Sequence, residues 1–394
     1  MRATTSSIRS AVPRPGAGRS YGVLSTFPPT ACGLATFAAA LTDALLATGA
    51  AVGIVGVADG SAPSDPRIIG ELHNGTPASV TEASKSLNRC DVAIVQHEYG
   101  LYGGRDGDEV VDILRGLTVP SIVVAHTVLL EPTDHQRAVL EAVADAAGAL
   151  VVMTGAARQR LCRRFDVDES KVTTIAHGAA VPAPRRELRR RPSPSTRPLL
   201  LSWGLLGRGK GIEWAIDAMA ELQDLQPRPR YVVAGRTHPK VVAFEGEAYR
   251  KMLLKRTWSN QVAASVTFDA AYRDVRSLTR LIQDAAVVVL PYDSRDQVTS
   301  GVLVDAVAAG RPVVATAFPH AVELLASGAG IVVPHRDPAA LAAAVRRILT
   351  EPGLAAAMAA EAGRLAPSLG WPAVAGQYAA LADRMLANRG AVLA

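Results

Sequence analysis

Short apolar runs rich in Val, Ile and Leu recur along this chain, with stretches of helical spacing between most of them. They are Gly22 to Thr26, Ala51 to Val57, Val92 to His97, Ser121 to His126, Ala149 to Thr154 and Val172 to His177, then Leu199 to Trp203, Arg230 to Gly235, Ser265 to Asp269, Ala285 to Leu290, Pro312 to Thr316 and Gly330 to Pro334. A strand whose side chains are apolar on both faces must be covered on both, and parallel sheets sandwiched between helices provide that cover. The alternation therefore predicts an α/β chain. It is interrupted once, from Ala179 to Pro198, by five prolines and the run Arg185-Arg-Glu-Leu-Arg-Arg-Arg191, which reads as a linker. With 394 residues, 49% of them hydrophobic, there is material for two cores.

The net charge of +6 and the pI near 9.4 raise the question of nucleic acid. Few aromatics accompany the basic residues, so bases would have little to stack on, and an anionic small substrate accounts for the charge as well. Peripheral contact of the basic linker with an acidic membrane surface is a further expectation from composition alone. Cys32, Cys90 and Cys162 are odd in number and lack metal-ligand spacing, which favours a reducing cytoplasm. Residues 1–20 are free of acidic residues and of any apolar core. They are neither a secretory signal nor a membrane span, and read as a disordered tail.

The densest chemical signal lies between Leu290 and Ala317. After an apolar strand come a polar loop, the N-cap candidates Thr299 and Ser300, then Gly301, Val302 and a short helix stopped by Gly310. Free amides from Ser300 to Leu303 would make a phosphate site at that helix start. Asp305, one turn in, is a lone charge on an apolar helix, serving either the helix dipole or a ligand. A second phosphate candidate is Gly204-Leu-Leu-Gly-Arg-Gly-Lys-Gly211, which is not a P-loop because Gly follows the Lys. In the first half, Phe27-Pro-Pro-Thr-Ala-Cys-Gly33 joins a strand to a helix where a doubly wound fold admits ligands. The cluster Gln96-His97-Glu98-Tyr99 and the strand-end His126 also fall at such positions, and the cluster suits a polyhydroxylated substrate. Thr133 and Gln136 form a capping-box pattern, and Asp337-Pro338 begins another helix. Asp166-Val-Asp168 sits in a turn where acidic residues are ordinary.

Taken together, these motifs resemble the retaining GT-B glycosyltransferases of family 4 from about Gly22 to Asn388. Two acidic residues eight positions apart mark the donor site of that family; here the positions hold Gln297, for the transferred sugar, and Asp305, for the ribose hydroxyls. Lys210-Gly211 match the residues that hold the donor diphosphate. Leu205 replaces the usual Arg, with Arg208 as substitute, while His177-Gly178 also has an equivalent. The resemblance places His126 beside the sugar being transferred and Cys32, Gly33 and Leu34 near donor phosphates. It implies two doubly wound Rossmann-like domains facing across a cleft: a tail at 1–20, an acceptor-side domain at 21–180, a linker at 181–197, a nucleotide-sugar domain at 198–370, and a terminal helix at 371–394 crossing back. The implied reaction is metal-independent, retaining transfer of a sugar from GDP-mannose or a UDP-sugar to a carbohydrate or small-molecule acceptor. No separate cofactor and no nucleic-acid partner are expected. The site residues are then His126, Lys210, Arg208 and Gln297 for catalysis; Gly33, Gly204, Lys210, Gly211, Thr299, Ser300, Gly301, Val302 and Asp305 for the nucleotide; and Gln96, His97, Glu98 and Tyr99 for the acceptor. Another GT-B enzyme such as a sugar-nucleotide epimerase, a non-catalytic sugar-nucleotide-binding subunit, and a basic membrane-associated scaffold stay open beside this reading.

Overall fold

The computed structural model describes residues 18–60, 65–183, 196–271 and 273–393. Most of the expected tail and the basic run from Arg185 to Arg191 lie outside them. The chain divides into two compact units: residues 1–178 with 371–394, and residues 179–370.

Unit 1 holds strands β1 (Ser20–Ser25), β2 (Ala51–Val57), β3 (Ile68–Leu72), β4 (Val92–His97), β5 (Ser121–Ala125), β6 (Ala149–Val152) and β7 (Val172–Thr174). They pair in parallel in the order 3-2-1-4-5-6-7. The apolar runs are buried as expected: every residue of β4, β5 and β6 is enclosed. Helices α1 (Gly33–Ala47), α2 (Pro77–Leu87), α3 (Glu109–Arg115), α4 (Asp134–Ala146) and α5 (Gly155–Arg164) connect them. The capping box forms at the start of α4, where the Thr133 hydroxyl takes the Gln136 amide at 3.2 Å and the Gln136 side chain takes the Thr133 amide at 3.0 Å.

Unit 2 holds β8 (Leu199–Trp203), β9 (Arg230–Ala234), β10 (Val266–Asp269), β11 (Val287–Leu290), β12 (Val313–Thr316) and β13 (Gly330–Val333), parallel in the order 10-9-8-11-12-13. Its helices are α6 (Ile212–Ala220), α7 (Pro239–Glu245), α8 (Ala248–Ser259), α9 (Val275–Asp284), α10 (Gly301–Ala308), α11 (Pro319–Leu325), α12 (Pro338–Thr350) and α13 (Leu354–Leu369). Asp337 caps α12 and Pro338 opens it. The last helix, α14 (Trp371–Leu393), belongs to unit 1, where Val374, Ala375 and Tyr378 are fully buried beside α1 residues.

In each sheet the order reverses next to the first strand of the unit, between β1 and β4 and between β8 and β11. A crevice opens at the carboxyl ends of the strands flanking such a point, because the connections there depart to opposite faces. The differences from expectation are local. β3 does not stand out in the sequence, since it is a half-exposed edge strand containing Gly70 and Glu71. β7 stops at Thr174 rather than His177. Ser20, placed in the tail by composition, starts β1.

Candidate active site

Unit 2 concentrates the phosphate candidates at its switch point. The chain leaves β8 through Gly204 and reaches α6 through Lys210 and Gly211, while the partner loop runs from Pro291, past the end of β11, to Ser300. Gly211 joins the two: its backbone is left-handed, φ +63°, and a Cβ there would sit 1.8 Å from the Pro291 carbonyl oxygen. Gly235, after β9, is under the same constraint against the Gly204 carbonyl, at 1.9 Å. The Asp293 amide donates to the Gly209 carbonyl at 2.9 Å, and the Lys210 ammonium lies 4.5 Å from the Tyr292 ring centroid. Tyr292 in turn stacks on Phe318. Lys210 is therefore half-buried on an aromatic face that favours its charge, with its position set by packing.

That geometry predicts a contrast between two glycines of one loop. Gly211→Ala must push the Pro291 strand end aside, and should cost about 3 kcal/mol or more in unfolding free energy and abolish ligand binding at the loop. Gly209→Ala has a positive φ but open space around the added Cβ. It should cost only the left-handed strain, about 1 kcal/mol. Chemical denaturation of the two variants checks the difference.

At the start of α10 the structure corrects part of the sequence reading. Ser300, not Thr299, is the N-cap, its hydroxyl accepting the Leu303 amide at 3.3 Å. The Ser300 amide is also taken, by the Nδ1 of His320 at 2.8 Å. Two of the four amides expected to be free are thus satisfied internally, and Gly301 and Val302 remain without an acceptor among the described residues. The Thr299 hydroxyl is buried without a partner. Gln297 folds onto the same loop, its side-chain amide donating to the Thr299 carbonyl at 2.9 Å. Val302 reaches Gly204, with 3.8 Å between its methyl and the place of a Gly204 Cβ, so the two phosphate candidates adjoin. Asp305 is largely buried, its carboxylate meets no cation or hydrogen-bond donor among the described residues, and burial pushes its pKa up to about 7. Arg208 is turned elsewhere: its exposed guanidinium holds the Glu245 carboxylate through contacts of 2.9, 3.0 and 3.2 Å. The roles of His320 and Glu245 were not readable locally, because each partner lies twenty or more residues away.

In unit 1, β4 and β5 end side by side, and their last residues form a network. Gln96 Oε1 and His126 Nε2 are 2.6 Å apart, which makes the imidazole nitrogen the donor. The Thr127 hydroxyl donates to Glu98 at 2.5 Å, and the Tyr102 hydroxyl to the Gln96 carbonyl at 2.5 Å. Phe37 of α1 presents its ring at 4.9 Å from His126, 5.0 Å from His177 and 5.1 Å from Trp371. Burial, helped by the neighbouring histidines, lowers the His126 pKa to about 3, so the ring is neutral at physiological pH. His97 needs correcting. It is fully buried with neither ring nitrogen hydrogen-bonded, lies edge-on to Tyr99, and burial lowers its pKa to about 4. A strand-end His in the interior cannot present its ring to a substrate as the sequence suggested. Gln96 is equally enclosed, and the Tyr99 hydroxyl is buried without a partner, so Glu98 and His126 carry the accessible polarity. Cys32 caps α1 through its sulfur, which accepts the Ala35 amide at 3.3 Å, and the space over the Gly33 Cα is open.

Among the described residues no group of three His, Cys, Asp or Glu side chains is gathered for a metal ion, and no helix is long and apolar enough to cross a membrane. The three cysteines are unpaired.

Residues 197–351 match the family described as Glycosyl transferases group 1. The chain is 30% identical over 227 residues to alpha-D-kanosaminyltransferase of Streptomyces kanamyceticus, covering 56% of this chain and 55% of that protein. It is 30% identical over 258 residues to D-inositol 3-phosphate glycosyltransferase of Kineococcus radiotolerans, covering 59% of this chain and 56% of that one. The chain thus spans little more than half the length of these relatives. Among solved structures, sucrose-phosphate synthase from Thermosynechococcus elongatus superposes with a TM-score of 0.74 at 19% identity, over 94% of this chain and 100% of that one. Anabaena HepE in complex with UDP-glucose does so with 0.70 at 16%, over 93% and 100%.

Proposed function

We propose that this chain is a GT4-like group 1 glycosyltransferase, as the family match on residues 197–351 supports, and that it transfers a hexosyl group from a nucleoside-diphosphate sugar to a hydroxylated acceptor. The observation that carries the proposal is the β8–β11 switch point, where a half-buried lysine and, without partners among the described residues, two amides and the largely buried Asp305 carboxylate come together within one unit.

Each group has a chemical task in that reading. Lys210 and the amides of Gly301 and Val302 neutralise the departing diphosphate, where fixed charge and dipoles in a water-poor site lower the barrier most. Asp305 accepts the ribose hydroxyls, which supply the donors its burial otherwise denies it. Gln297 offers a neutral amide to the donor sugar. Unit 1 takes the acceptor; there His126, neutral and protonated on Nε2, has Nδ1 left to accept a hydrogen bond from a sugar hydroxyl. Departure without a metal, retention of configuration, a mannosyl donor and a cytoplasmic setting complete the proposal. HepE is described in complex with UDP-glucose, so UDP sugars belong in the first donor set beside GDP-mannose.

The competing reading is a sugar-nucleotide-binding subunit without turnover, favoured by the uncharged Gln297 at the sugar position. A thermal-shift screen of UDP, GDP and ADP and their sugars should raise the melting temperature with at least one of them, since a ligand bound by the folded state stabilises it. Diphosphate release with that donor and a sugar acceptor then decides between the readings. Release supports transfer. Binding without release from wild type, followed by release from Gln297→Glu, would overturn the enzyme in favour of the binding subunit.

A further inference from the structure

The segments Gly235-Arg-Thr-His-Pro239 and Glu245-Gly-Glu-Ala-Tyr-Arg250 have no task in the transfer chemistry above. Both brace the Lys210 loop. Leu206 and Thr237 form a parallel bridge, and the His238 amide donates to the Leu206 carbonyl at 2.8 Å. Val241 of α7 packs over Gly207. Several polar side chains of the two segments have local tasks. The Thr237 hydroxyl donates to Glu247 at 2.5 Å, the Tyr249 hydroxyl to Glu213 at 2.6 Å, Arg250 to the Gly235 carbonyl, and Glu245 receives Arg208.

His238 is engaged on one nitrogen. Its Nδ1 accepts the Lys240 amide at 3.1 Å, which puts the proton of the neutral ring on Nε2. Burial and the charges of Lys240 and Lys210 hold its pKa below the ordinary value, so the ring stays neutral with the Lys210 charge nearby. The Nε2–H has no acceptor among the described residues.

We propose that His238 contacts the donor diphosphate directly, donating its Nε2–H to the anion that Lys210 neutralises. The inference rests on the assignment of the Lys210 loop to a diphosphate. One imidazole nitrogen holds the α7 start and the other faces the ligand, so the ring couples the position of the Gly235 segment to an occupied phosphate site. A cation would be repelled by Lys210, and a neutral ligand would leave that lysine uncompensated.

Two substitutions separate the nitrogens. His238→Asn keeps a side-chain acceptor for the Lys240 amide, as a good N-cap residue does, and removes the outward donor. His238→Gln carries a donor at the reach of Nε2 and gives up the cap. UDP, GDP and ADP, with their parent nucleosides, are titrated calorimetrically into wild type and both variants. His238→Asn should lose about tenfold in affinity for the diphosphate that wild type binds best, with nucleoside affinity unchanged. His238→Gln should stay within about threefold of wild type for that diphosphate and melt lower for loss of the cap. Wild-type affinity in His238→Asn would reduce His238 to a helix cap and overturn the inference alone. A folded wild type that binds none of the three diphosphates removes the donor-site reading and this inference with it.

Discussion

Lys210→Ala is expected to fold and to release nucleoside diphosphate at no more than about one-hundredth of the wild-type rate. On the proposed reading the side chain brings a full positive charge to a diphosphate whose other contacts are uncharged: two amides at the start of α10 and a neutral imidazole. Arg208, the other cation of the loop, is engaged by Glu245, so it substitutes for the missing charge only by breaking that ion pair. The cost to folding should be small, about 1 kcal/mol for the lost contact with Tyr292. Steady-state release assays beside a thermal melt separate the two effects. Wild-type turnover in a folded Lys210→Ala protein would remove the diphosphate from this loop.

Asp305→Asn should do two opposite things. Burial raises the Asp305 pKa to about 7 in the folded protein, against about 3.9 for an unfolded chain. A folded-state value above the unfolded one favours the protonated form, so its stabilising contribution is complete below about pH 4 and is lost as pH rises towards 7. At pH 8 the ionised, unpartnered carboxylate is a net cost to the ligand-free protein, on the order of 2 to 4 kcal/mol, because each tenfold change in proton affinity is worth about 1.4 kcal/mol. The amide variant should therefore melt higher than wild type at pH 8, with the gain shrinking as pH is lowered to 5. The same substitution should weaken nucleoside diphosphate binding about tenfold, because a carboxylate accepts ribose hydroxyls more strongly than an amide does. A 2′-deoxynucleoside diphosphate should lose less. Equal affinities for the diphosphate in both proteins, with a loss confined to the complete sugar donor, would move Asp305 from the ribose to the sugar.

The fold was legible because its signal is repeated and one-dimensional. Runs such as Val92 to Val95 and Val287 to Leu290 have no polar alternation, and only a doubly covered parallel strand accommodates them. β3 escaped because an edge strand needs no such run. At the site, the glycine and lysine positions were legible, since the spacing of the Lys210 loop and the Ser300 cap are local facts. What occupies each group was not. The Ser300 amide is taken by His320, Arg208 by Glu245, and His97 turns inward with no hydrogen bond among the described residues; these depend on how the chain packs in three dimensions. Residue type thus located the chemistry, and tertiary packing decided which donors and acceptors were still free to perform it.

The assignment of α14 to unit 1 has a consequence for biogenesis. Val374, Ala375 and Tyr378 complete a core whose other members were synthesised up to some 350 residues earlier, starting with Tyr21 and Val23. Unit 2 is contiguous from residue 179 to 370 and can close while the ribosome is still at work, as domains generally do. Unit 1 is expected to close later, because Phe37 and its α1 neighbours share their core with Trp371, Val374 and Tyr378 of the last helix. The nascent first half should thus expose apolar surface until α14 is made, and a chain truncated near residue 370 should accumulate as a folded second unit tethered to a first unit that chaperones retain.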